Sequence, residues 1–264
     1  MDGMTATQVA LTVVSGMAVG FTLGLVGGGG SLLAVPLLLY LVGWRDAHAV
    51  IGTTALAVSM TALLNLLPHW RAGTVRWRPA VVLAVPGVLG AVAGAQLGQR
   101  LPAHRLLFVF ALLMLAVAAW MLRALRRPRL DADGDGCRGR ACAGVGAAGL
   151  GVGMLSGTFG IGGGFLIVPA LLATARMSVV QAISSSLVAV TAFGLTTAVA
   201  YAVSGQVGWV VAAVFACGGV VGGRLGARLL RRVGTRREVL APLFATLIAG
   251  VAVYMLVLNV QALH

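Results

Sequence analysis

The sequence predicts an all-α membrane protein: a polytopic helical bundle of two inverted repeats, each with a glycine-broken helical hairpin. Three observations predict it. The 264 residues are 59% hydrophobic and only 9% charged, with a mean hydropathy of +1.01, which leaves too little polar surface to face water. Apolar runs long enough to cross a bilayer recur along the whole length. The phrase GGGGSLLAVP at 27–36 returns as GIGGGFLIVP at 160–169.

The apolar segments lie at 5–26, 31–43, 47–68, 79–98, 104–124, 143–161, 165–175, 179–203, 207–228 and 237–258. The opening MDGMTATQ lacks a positive n-region, so the first segment is expected to stay in the mature protein. The long polar interruption, 125–142, reads as a linker between a first repeat at 1–124 and a second at 143–264. The net charge of +13 comes from arginines in short loops, which read as topology signals and headgroup contacts. No nucleic-acid partner is expected. Cys137 and Cys142 flank RGRA in the linker and Cys217 sits in an apolar run. A lone C-x4-C pair is weak as a metal site, and all three read as free thiols.

The halves match station by station at an offset of 132–134 residues. Gly24, Gly27, Gly29, Gly30 and Pro36 correspond to Gly157, Gly160, Gly162, Gly163 and Pro169. VIGTTA at 50–55 corresponds to AISSSL at 182–187, and AGTVRW at 72–77 to SGQVGW at 204–209. Arginine placement then selects the inverted arrangement. With the loop at 224–238 in the cytoplasm, the linker and the 69–78 loop fall there too, and both termini fall outside. The Arg100/Arg105 loop is the exception.

Segments 31–43 and 165–175 are too short to span roughly 30 Å at 1.5 Å per residue. Each follows a glycine cluster, and Pro36 and Pro169 suit the first turn of a helix. The expectation is a helix that breaks, runs extended, and restarts near the proline, with the two hairpins meeting near the midplane. Amides exposed at such a break persist in lipid only if they face protein, water or a ligand, and a helix N-terminus favours an anion. The alternative is close helix packing, which is the reading for Gly87, Gly90, Gly94 and Gly98 and for Gly218, Gly222 and Gly226.

Polar groups inside the membrane are candidates for function. The Thr53/Thr54 and Ser184/Ser185/Ser186 clusters offer donors without charge; otherwise they cap helices or bond the preceding turn. Ser31, Ser156 and Thr158 belong with the hairpins. Gln96 and Arg228 occupy equivalent positions, and Arg228 reads as an interfacial, snorkelling arginine. Asn65 and His69 lie near the end of 47–68, where a lone histidine usually faces headgroups. The six acidic residues, Asp2, Asp46, Asp131, Asp133, Asp135 and Glu238, all fall in loops or tails, so the interior suits an anion better than a cation. A Walker A loop is excluded by the absence of lysine, and Gly144-x-Gly146-x-x-Gly149 follows no strand.

The twinned phrases at 24–36 and 157–169, followed by AVIGTTA and QAISSSL, resemble the TauE/SafE family of sulfite exporter-like permeases over nearly the whole chain. The first copy departs from the second, with Gly28 for Ile161 and Ser31 for Gly164. The resemblance implies transport, in the export direction, of a small anion such as sulfite or an organosulfonate across the bacterial inner membrane. The expected substrate site combines Gly28, Gly29, Gly30 and Ser31, Thr53 and Thr54, Gly162, Gly163 and Gly164, and Ser184, Ser185 and Ser186. Alternating access by one repeat against the other is the expected mechanism. No cofactor, metal or catalytic set is expected, and the partners are the small anion and the lipid bilayer. A homodimer, the substrate and the coupling ion are left open. The competing readings are a channel-like permease, a carrier of another small organic anion, and a membrane enzyme or sensory subunit.

Overall fold

The computed structural model describes residues 5–26, 28–44, 46–124, 140–175, 177, 179–233, 246 and 248–258. Every regular element among them is helical. The long helices are α1 (Ala6–Val26), α3 (Ala47–Arg71), α4 (Trp77–Arg100), α5 (Ala103–Ala124), α6 (Arg140–Phe159), α8 (Val179–Val203) and α9 (Trp209–Val233). Seven helices among the described residues are long and apolar enough to cross a membrane. Shorter are α2 (Ala34–Pro36), α7 (Gly164–Ala175) and α10 (Ile248–Leu258). The outer faces carry large apolar side chains, among them Val85, Leu89, Val199 and Val210, which a lipid environment accommodates and water does not.

Glycine decides how the helices meet. Gly16, Gly20 and Gly24 of α1 lie against the backbone of Phe215, Gly219 and Gly223 of α9. Both numbers rise together, so α1 and α9 run parallel, with main chain touching main chain. At the equivalent positions of the second half, Gly149, Gly153 and Gly157 of α6 lie against Leu83, Gly87 and Ala91 of α4. A Cβ at any of these six glycines would run into a carbonyl oxygen, so the stripe is steric in origin. These exchanged pairings, the first helix of each half on the other half, are the most extensive contacts in the molecule.

The equivalent helices α3 and α8 cross at the centre. His69 touches Ser184 at 3.1 Å and Thr53 bonds Gly208 at 2.9 Å, so the pair is antiparallel. Asp46 caps α3 by accepting from the amides of His48 and Ala49. Each helix ends on a left-handed glycine, Gly73 with φ +67° and Gly205 with φ +71°. The amides of Gly73 and Thr74 bond Trp70 and His69, and those of Gly205 and Gln206 bond Ala202 and Tyr201. This is the Schellman pattern, which only glycine adopts without strain, written once in each half.

Three expectations change. Helix resumes at Gly28 and at Gly164, well before Pro36 and Pro169, so neither proline opens a helix and no extended stretch follows the glycines. In the first half the chain winds as a 3-10 turn over Gly28–Leu33 and a π turn over Leu37–Leu41, and these changes of hydrogen-bond step bracket the proline that lacks a donor. Of the expected linker, 125–139 lies outside the described residues, and its last residues already belong to α6. Cys217 is a free, exposed thiol as read, whereas Cys142 is disulfide-bonded.

Candidate functional site

The second glycine phrase is a true break. The Gly160 amide still bonds Ser156 at 2.8 Å, closing α6. Gly160, Gly162 and Gly163 then take φ of +66°, +67° and +66°. Only glycine populates three such positions in four residues at no steric cost. The Gly163 carbonyl accepts from Leu166 and Ile167, which starts α7. Ile161, Gly162, Gly163 and Gly164 are all buried, yet no acceptor among the described residues takes the amides of Ile161, Gly162 or Gly163. A side chain on Gly162 would meet Val58 and Val190, so the turn sits between the midpoints of α3 and α8.

The first phrase is helical from Gly28 onward. Gly30 is buried against Val19, Thr22 and Leu23 of α1, and its φ is not left-handed. The 3-10 turn that holds Gly28, Gly29, Gly30 and Ser31 packs against α7, so the two phrases do meet. Ser31 is completely buried. The twin sequences therefore fold differently. A 3-10 winding carries a ladder of i to i+3 bonds after its first residues, whereas the left-handed turn at 160–163 interrupts the ladder.

The hydroxyl clusters divide. Thr53 donates to Ala49 at 2.6 Å and accepts from the Gly208 amide at 2.9 Å. Ser185, at the equivalent position, accepts from the Arg76 amide at 2.9 Å. Each hydroxyl thus ties its helix to the residue just before the next long helix of the opposite half, Gly208 before α9 and Arg76 before α4. Ser184 donates to Val180 and touches Thr74 and His69. Ser186 donates to Ile183. Only Thr54 reaches a glycine turn: it donates to Ile51 at 3.0 Å and lies 3.4 Å from the Gly160 carbonyl. The structure brings together Thr54, Gly162–Gly164 and the 28–31 turn; it leaves Thr53 at one end of the bundle and Ser184 and Ser185 at the other.

A cavity of about 140 Å³ opens at the Ser184 end, between α1, α3, α8 and α9. Its wall includes Asn65, His69, Arg224 and Arg228, with Leu23 and Gly24 at the start of the first glycine phrase. The sequence signals for these four polar residues were single and scattered. Their convergence comes from the parallel packing of α3 on α9, in which Thr61 meets Gly219 and Asn65 meets Gly223. No group of three His, Cys, Asp or Glu side chains among the described residues is arranged to hold a metal.

The family model described as sulfite exporter TauE/SafE matches residues 12–255. The chain belongs to the TauE/SafE family. A "probable membrane transporter protein" of Xylella fastidiosa (strain Temecula1) is 45% identical over 96% of this chain and 97% of its own length. The "probable membrane transporter protein YunE" of Bacillus subtilis is 27% identical over 91% of this chain and 95% of its own length. A "probable membrane transporter protein" of Haemophilus influenzae is 30% identical over 75% of each chain. No solved structure matches the chain. This TauE/SafE chain is accordingly a multi-pass membrane transporter, and its seven apolar helices fit that role.

Proposed function

We propose that the chain is a secondary transporter that exports a small anion, such as sulfite or an organosulfonate, across the bacterial inner membrane. The observation that carries this reading is the turn at 160–163, where three buried backbone amides find no acceptor among the described residues at the centre of the bundle. Unpaired amides in a membrane interior are costly, and an anion is the ligand that compensates them best. Thr54, Gly164 and the Gly28–Ser31 turn complete the proposed site. The two halves act as inverted repeats; the antiparallel crossing of α3 and α8, and the exchanged pairs α1 with α9 and α4 with α6, support that arrangement. Alternating access is supported by an open cavity at one end, against the fully buried Tyr201 at the equivalent position of the other.

The test is sulfite efflux from proteoliposomes. The expected result is saturable flux in the wild type, its loss in Gly163→Val, and partial retention in Gly163→Asn. Asparagine tolerates a left-handed φ and valine does not. Flux that rises linearly with concentration favours a channel-like permease instead. Equal activity of the valine and asparagine variants removes the turn from the site.

A further inference from the structure

We propose that the cavity at the Ser184 end binds a free small oxyanion, as a station separate from the glycine turn. Its part in transport rests on the reading above; its occupancy is tested independently of it.

Three observations converge. The first is Asn65. It is 8% exposed, and its Nδ2 has no partner among the described residues. The amide lies directly over Gly223, where any side chain would displace it. A buried, unpartnered donor in a cavity wall destabilises the fold unless a ligand accepts from it. The second is charge. Arg224 and Arg228 line the same cavity, and neither has a carboxylate partner among the described residues. Their guanidinium groups present several donors in a fixed fork, which suits an acceptor with more than one oxygen. The third is orientation. His69 lines the cavity with its Nδ1 3.1 Å from the Ser184 hydroxyl, which fixes the ring at the wall.

The chemistry of that lining selects the ligand. Among the described residues it offers two guanidinium groups, an amide N–H and an imidazole, and no carboxylate. A cation is repelled, and a neutral solute leaves the arginines unmatched. An oxyanion satisfies the amide and both arginines at once. At about 140 Å³ the space suits a small oxyanion rather than a nucleotide. Gly24, which opens the first glycine phrase, forms part of the wall, so an ion held here already adjoins the central segments.

The experiment is calorimetric titration of sodium sulfite, with sulfate and sulfoacetate alongside, into the purified full chain in lipid-free detergent. Asn65→Leu and the double variant Arg224→Gln/Arg228→Gln are each expected to weaken sulfite binding roughly tenfold or more. The ligand-free melting temperature of the double variant should not change, because both arginines are exposed. If Asn65→Leu does not fold, the double variant decides. Wild-type binding with unchanged affinity in the double variant overturns this site and leaves the transport reading standing. Failure of the wild type to bind all three anions overturns both. The same titration in nanodiscs of phosphatidylcholine, with and without phosphatidylglycerol, separates the two sources of an anionic group. Loss of sulfite binding only with phosphatidylglycerol assigns the cavity to a lipid headgroup and overturns the free-anion proposal.

Discussion

The two ends of the bundle are built on equivalent positions that carry different side chains. At one end Asn65, His69, Arg224 and Arg228 surround a cavity. At the other, the same repeat positions carry Thr197, Tyr201, Val92 and Gln96. Thr197 spends its hydroxyl on the Phe193 carbonyl, and Tyr201 is fully buried beside Gly98. The glycines that hold each end together are the same: Gly16, Gly20 and Gly24 against α9, and Gly149, Gly153 and Gly157 against α6's partner α4. Packing residues have stayed alike while the residues facing the space between helices have diverged. The difference teaches that the duplicated frame sets where inward-facing positions lie, and a handful of side chains set what fills them and what charge they carry.

The largest expected effect tests the shared part. Gly20→Leu and Gly153→Leu each drive a side chain into the backbone of the facing helix. Overpacking of this kind costs about 3 kcal/mol or more when the backbone has no room to shift. Both variants should lose folded protein to the same degree by size-exclusion chromatography of the solubilised membrane fraction. A large loss in only one of them would break the equivalence of the two frames.

A middle effect concerns the ties. Thr53→Val and Ser185→Ala strip an acceptor from the Gly208 and Arg76 amides, one at each end. The expected cost is about 1 kcal/mol in stability for each, read as a lowered thermal midpoint without ligand. Sulfite affinity should stay within about twofold of wild type. A tenfold loss of affinity with unchanged stability would return these hydroxyls to the binding site, as the sequence reading had them.

The smallest effect probes the Tyr201 end. The Tyr201 hydroxyl is buried and has no partner among the described residues. Tyr201→Phe removes that orphan and keeps the ring, so stability should hold or rise by up to about 1 kcal/mol, with transport intact. Destabilisation in a thermal melt would mean that the hydroxyl has a partner outside the described residues.

Much of this architecture was legible in the chain. The apolar runs located the helices to within a few residues, because hydropathy and helical length are properties of a segment and need no partner. The repeat was legible because equivalent glycines recur at a constant offset. The proposed site was legible only in part. The glycine phrases do meet, but just one of them is left-handed, and local composition cannot distinguish a 3-10 winding from a break when both are rich in glycine. The ties that Thr53 and Ser185 make were not legible, because the amides they accept from belong to the opposite half of the chain. Asn65 and His69 looked like isolated boundary residues because Arg224 and Arg228 are more than 150 residues away along the chain.

By itself, then, the sequence determined that the protein is a duplicated bundle of apolar helices with glycine-rich interruptions and an interior poor in acid. Only the tertiary structure decided which interruption exposes its amides, which hydroxyls are consumed as ties, and which scattered cations share a cavity. The physical reason is register. Helix formation and membrane insertion depend on a segment's own residues, whereas the faces that meet depend on how one helix slides and rotates on another. In this chain backbone contact at glycine stripes fixes that register, and with it the position of every polar side chain that faces inward.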